Sequence, residues 1–157
     1  MSVHSFLEAA QYLYDNNFYD EAFCLVCVAL DASAQIQYAS LKVGERYKKF
    51  ISANFRKICS RGFPGVSADF IKIKVNADVK NLKLDENGYA GIEDIIYHVI
   101  RCGLVHDCAI DQSIRFIDST IIGNWEKGLF FLPKSVIIGL IDAVQNSLEK
   151  NEASFFT

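Results

Sequence analysis

Arg101 and His106 are the pair whose types and spacing invite chemistry: an arginine and a histidine five residues apart at the end of an apolar helical stripe. An arginine offers a rigid fork of donors to an anionic oxygen, and a histidine exchanges protons near neutral pH. The stripe is Ile92, Ile95, Ile96, Val99 and Ile100, at the i, i+3, i+4, i+7 spacing of an amphipathic helix, with Glu93 and Asp94 in its first turn. On one straight helix five residues place the two side chains about 140° and about 7.5 Å apart. They do not share a face. His106 falls toward Ile95 and Val99, Arg101 with Asp94 and His98. Chemistry there needs a bend or an end at Gly103, or a two-fold dimer that brings the motifs of two chains together. The alternative is structural: His106 capping the helix end or bonded in the core, and Arg101 paired with Asp94.

Other sites are absent from the sequence, which has no Walker loop, GxGxxG, GxSxG or HExxH. Asp15, Asp20 and Glu21 suit helix ends. Asp31 is different, because it is the only charge in residues 22–41 and so invites either a functional role or a buried donor as partner. That stretch is also the nearest thing to a membrane span, but a central Asp costs about 2.5 to 3.5 kcal/mol on insertion. A buried helix is expected instead. The five cysteines are odd in number and the N-terminus has no signal-peptide pattern, so reduced thiols and a cytoplasmic protein are expected. Cys24 and Cys27 lie in one apolar run and read as packing residues. Three scattered histidines make no zinc-site spacing, and neither a metal nor another cofactor is expected.

The elements that must position the pair are mostly helical. With 157 residues, 51% hydrophobic and 22% charged, the chain fits one domain with a self-sufficient core. Ser5 and Glu8 have capping-box spacing, predicting a first helix to about Asp15. Asn16 and Asn17 then turn the chain into a second helix from about Phe18 toward Leu41, antiparallel to the first. A third helix is predicted over residues 42–59. Two β excursions interrupt the bundle, at about 62–91 and 113–132. In the first, Ile71, Ile73 and Val75 alternate with Lys72 and Lys74, a weaker strand covers 79–84, and residues 85–88 make a turn. In the second, 113–122 and 129–132 suggest a hairpin. Pro133 opens a final helix over 134–149, after which the last seven residues fray.

Charge is unevenly spread. The chain carries −3 overall, yet residues 42–61 carry +6. On the third helix Lys42, Arg46, Lys49, Arg56 and Lys57 fall within an arc of about 100° if that helix is straight. Such a face is either a solvated surface or a stripe that tracks phosphates.

The wording from Arg101 to His106, I-R-C-G-L-V-H-D in context, resembles the R-x4-6-H motif of the HEPN family (higher eukaryote and prokaryote nucleotide-binding domains). The motif's place, late and on an amphipathic helix after long N-terminal helices, is similar too. The resemblance covers the motif closely, the helical body loosely and the β excursions not at all. Where active members often carry a polar residue after the arginine, this chain has Cys102. The resemblance implies an antiparallel, HEPN-like helical bundle forming a homodimer; with the β excursions read from the residue pattern, the expected fold is mainly α with small β-hairpin additions. It implies a metal-independent endoribonuclease of toxin or phage-defence type. In that role His106 serves as acid or base at the ribose 2′-hydroxyl or the leaving 5′-oxygen, and Arg101 stabilises charge on the phosphorus oxygens. The basic face at Lys42, Arg46, Lys49, Arg56 and Lys57 would then position RNA. The rival expectation is a non-catalytic RNA-binding or protein-interaction module, or a subunit of a toxin or defence complex with a partner protein.

Overall fold

The computed structural model describes residues 2–75, 82–101, 114–119, 125–126 and 129–154. It is mainly α-helical, and the helices arise where apolar periodicity predicts them. Helix α1 (Val3–Asp15) is capped one turn earlier than the sequence suggests. Ser2 Oγ accepts from the Ser5 N–H at 3.2 Å and Ser5 Oγ from the Ser2 N–H at 3.1 Å, so serine fills both places of the capping box. Glu8, the expected partner, instead faces His4 at 3.4 Å. Asn17 takes the left-handed conformation (φ 67°) that asparagine tolerates. This turns α1 into α2 (Tyr19–Gln37), its antiparallel neighbour, with the Phe18 N–H bonded to the Leu13 carbonyl at 2.9 Å.

The predicted helix over 42–59 is two helices, α3 (Val43–Ala53) and α4 (Phe55–Gly62). Asn54 breaks it, at φ −107° and ψ 9°, with its side-chain Nδ2 donating to the Phe50 carbonyl at 2.9 Å. An asparagine amide competing for backbone carbonyls ends a helix locally. The assumption of one straight basic face therefore fails at Asn54.

Strand β1 (Lys72–Lys74) pairs antiparallel with β2 (Tyr89–Gly91), Ile73 opposite Ala90. Ile73 points into the core between exposed Lys72 and Lys74, as the alternation predicts. The partner is 89–91 rather than 79–84; of the latter, 82–84 form no strand and 79–81 lie outside the described residues. The turn at 85–88 is present: Asp85 Oδ1 accepts from the Asn87 and Tyr89 N–H groups at 3.0 and 2.9 Å. Gly88 supplies the positive φ of 81° that this turn requires.

Beyond β2 comes α5 (Ile92–Ile95), continuing as a π-helical segment over Ile96–Arg101. Strand β3 (Ile114–Ile117) runs parallel to β5 (Leu129–Pro133), and β4 (Trp125–Glu126) pairs antiparallel with β5, in the order β3-β5-β4. The expected hairpin between 113–122 and 129–132 is thus wrong in its pairing. Strand β5 instead pairs in parallel with β3 and antiparallel with β4, and β4 lies inside the stretch expected to be loop. Pro133 ends β5, so the last helix, α6 (Val136–Ser154), starts two residues later than predicted. It also continues through Ser154 where fraying was expected; of the last seven residues, 155–157 lie outside the described residues.

One core joins these elements, centred on Phe23, Leu30, Tyr47, Phe50, Phe55, Phe63, Ile92, Ile96, Phe130 and the inner face of α6. Helices α4 and α6 cross at Gly62 and Gly139, where no side chain separates the backbones. Among the described residues no helix is long and apolar enough to cross a membrane.

Candidate functional site

Asp31 finds its partner across the bundle, and the partner is Arg101. Arg101 Nη2, at the end of the π-helical segment, donates to Asp31 Oδ2 at 3.1 Å. Arg46, from α3, brings its Nη2 to 3.6 Å from Asp31 Oδ1 and donates from the same atom to Gln35 Oε1 at 3.2 Å. Side-chain exposures are only 13% for Arg101, 14% for Arg46 and 25% for Asp31. Charges so far withdrawn from water must be paired, and their interactions are little screened by salt. Two guanidinium groups thus approach the one Asp31 carboxylate from α3 and from the π-helical segment.

The packing beneath explains the arrangement. Gly44 on α3 has no side chain, and the Tyr97 ring comes within 3.1 Å of where a Cβ would stand. Tyr97 in turn packs on buried Tyr47, ring centroids 5.3 Å apart, and carries the Arg101 guanidinium 5.6 Å from its own centroid, in cation–π range. Lys48 Nζ bonds Asp94 Oδ1 at 2.9 Å, tying α3 to α5. Asp94 is therefore engaged by Lys48, and the pairing of Arg101 with Asp94 read from the sequence is replaced by Arg101 with Asp31. The cause is the wider winding after Ile95: wheel angles for an α-helix stop applying inside a π-helical turn, a feature frequent at functional sites.

A cavity of about 290 Å³ opens on this cluster, lined by Cys27, Val28, Asp31, Ala32, Gln35 and Arg101. Cys27 is no nucleophile there, because burial pushes its thiol up to about 12. Among the described residues no His, Cys, Asp and Glu side chains group to hold a metal ion.

His98, beside the cluster on the π-helical segment, has a lowered pKa, chiefly from burial and then from the Lys48 charge, with Asp94 opposing. The folded state thus favours neutral His98, and the stability this gives is present above the unfolded value of about 6.5. It is lost as pH falls from there through the folded pKa. Thermal melts across pH 7.5 to 5 should show a downward slope in the wild type that His98→Gln reduces; equal slopes would remove His98 from the account.

Of the residues singled out from sequence, Arg101 and Arg46 meet at Asp31. Lys42, Lys49, Arg56 and Lys57 do not join them. Lys42 precedes α3, and Lys42, Lys49 and Lys57 are exposed, while Arg56 forms a two-pronged, exposed pair with Asp69 at 2.8 and 2.9 Å. That pair raises the Arg56 pKa and lowers that of Asp69. His106, Cys102 and Gly103 lie outside the described residues. Sequence reasoning missed Gln35 and placed Arg46 on an outer stripe. The available signal was Asp31 itself, a lone charge in an apolar helix that had to be neutralised from another element.

Residues 2–155 match the family model described as Rv1289. The chain belongs to the Rv1289 family. No curated protein and no solved structure matches it. The Rv1289 match takes in α1 through α6, so every element that builds the Arg101, Asp31 and Arg46 cluster lies inside the family region.

Proposed function

We propose that this Rv1289-family protein is a HEPN-like, metal-independent endoribonuclease of toxin or defence type, acting in the cytoplasm as a homodimer. One observation carries the reading: the motif arginine, Arg101, is held by Asp31 on the wall of a cavity that both residues line. About 290 Å³ takes a phosphodiester group together with water, at about 30 Å³ per water molecule. The nucleophile is the RNA's own 2′-hydroxyl. It attacks the adjacent phosphorus as His106 takes its proton, the bond to the 5′-oxygen breaks, and that oxygen receives a proton as it leaves. A 2′,3′-cyclic phosphate remains. Arg101 stabilises charge on the non-bridging oxygens. Exposed Lys42, Lys49 and Lys57, with Arg56 once it leaves Asp69, extend the phosphate contacts.

The assay is cleavage of mixed RNAs in EDTA. Wild type should cut RNA and spare DNA, which has no 2′-hydroxyl, and His106→Ala should lower the rate by about 10²- to 10⁴-fold. Silence of the wild type across varied RNAs would count decisively against catalysis.

The Arg101 ion pair also favours a second reading, since a tie between π-helical segment and α2 serves the fold without chemistry. In that reading the chain is a non-catalytic RNA-binding or protein-interaction module, a subunit of a toxin or defence complex. Salt-sensitive RNA binding that survives Arg101→Ala and His106→Ala, yet weakens with Lys49→Glu, selects it.

A further inference from the structure

We propose that the cavity between α1, the end of β3 and the junction of β5 with α6 is a guanine-binding site, in which Asp118 and Lys134 read the edge of the base. The inference deepens the RNA reading above by naming the base selected, and it rests on that reading for the base being part of an RNA. The cavity holds about 500 Å³, within the usual range of small-ligand sites, and its walls include Tyr14, Pro64, Ile117, Asp118, Lys134 and Ser135. Four separate parts of the chain meet there. The Lys134 N–H donates to the Ile117 carbonyl at 3.0 Å and Ser135 Oγ to the Gly62 carbonyl at 2.8 Å, which brace the walls against one another.

Charge on these walls is balanced, one carboxylate against one ammonium, which suits a neutral ligand rather than an anion. Lys134 Nζ is bonded to Asp118 Oδ1 and donates to Tyr19 Oη at 3.0 Å, while the Tyr19 hydroxyl gives its own proton to Asn17 Oδ1 at 2.6 Å. The ammonium also lies 4.9 Å from the centre of the Tyr19 ring. It is held from several sides. An ammonium has three protons, and the third has no partner among the described residues. Asp118 accepts from Lys134 alone among the described residues, and a carboxylate can take about four hydrogen bonds. One donor therefore stands beside room for two further protons. Among the RNA bases guanine matches that order, because its base-pairing edge presents O6, N1–H and the N2 amino group in a row. Adenine and cytosine put one donor beside acceptors, and uracil sets one donor between two, so each leaves the carboxylate partly unmatched. Unstacked bases are bound by such edge contacts and by packing on aromatic or apolar side chains, which Tyr14, Pro64 and Ile117 supply here.

The probes are the neutral nucleosides guanosine, inosine and adenosine, titrated against the full chain by ligand-observed NMR. They carry no phosphate, so they read this cavity apart from any cleavage. Guanosine should bind about 10- to 100-fold more tightly than adenosine. Inosine keeps O6 and N1–H but lacks the N2 amino group, and should fall between them. Asp118→Asn leaves one acceptor oxygen where the carboxylate had a pair, so it should bring guanosine down to the level of inosine. Lys134→Met keeps most of the stem and removes the donor to O6, and should weaken guanosine and inosine alike. A merely structural role for Asp118 would lower both nucleosides together and leave their ratio untouched.

Absence of guanosine binding, an affinity no better than that for adenosine, or a guanosine-to-inosine ratio that Asp118→Asn leaves unchanged overturns the proposal. The Asp118 side chain is 78% exposed, so its variant leaves the core untouched and decides alone if Lys134→Met melts early. Selective guanosine binding by a wild type that cuts no RNA supports the site and defeats the nuclease reading. RNA cleavage by a wild type that does not prefer guanosine does the reverse.

Discussion

Arg101→Ala should reduce RNA cleavage in EDTA by about 10²- to 10³-fold, the loss typical of removing one donor that faces developing charge. Arg101→Lys should recover little of it. A lysine carries the charge but not the planar fork, which can hold Asp31 Oδ2 with one nitrogen and offer others to an anion, and its ammonium does not reproduce the guanidinium's place 5.6 Å from the Tyr97 ring centre. The fold is expected to pay less than the activity. Asp31 keeps Arg46 nearby at 3.6 Å, so no buried carboxylate is stranded, and the cost should stay below the about 3 to 5 kcal/mol seen when a buried pair loses its only partner. The measurement is the single-turnover rate on one defined RNA, paired with a thermal melt of each variant. An unchanged rate for Arg101→Ala would remove the motif from the mechanism, whatever its effect on the melt.

The same cluster shows what the sequence could and could not reveal. Apolar period 3.6 placed α6 and the helical stretch that became α3 and α4, because each buries one face and the pattern records which, while capping and turn residues placed α1 and α2. Alternation placed Ile73 inside β1 for the same reason. The breaks were invisible. Asn54 looks like any polar residue on a helix until its amide reaches the Phe50 carbonyl, and the shift to π-helical winding at Ile96 leaves the apolar stripe unaltered as a string of letters. Both matter to the site, since the first splits the basic face and the second turns Arg101 from Asp94 toward α2. Asp31 was conspicuous, but its partners are 15 and 70 positions away, on elements whose packing decides the pairing. Strand β3 was misjudged on similar grounds: a β-rich stretch announces that it pairs, not with which neighbour or in which direction.

The largest expected effect on stability lies away from that cluster, at the crossing of α4 and α6. A Cβ on Gly139 would stand 2.4 Å from the Ile58 carbonyl oxygen and 2.9 Å from both Cα and N of Gly62. All three are backbone atoms, so no rotamer change relieves the clash and the helices must move apart. Forcing extra volume into a packed core costs about 1 to 3 kcal/mol, sometimes more. The gain in helix propensity from Gly to Ala returns only about 1 kcal/mol. Separating α4 from α6 also loosens Val136 and Ile58, both fully buried at the crossing, so Gly139→Ala should sit at or above the top of that range. At about 2 to 4 °C per kcal/mol for a chain of this size, Tm should fall by several degrees. Gly62→Ala is the graded control: its nearest contact is the Val136 Cα at 3.2 Å, close enough to displace but not to exclude, and its loss should be smaller. A Gly139→Ala protein that melts with or above the wild type would mean that the two helices do not cross at this distance.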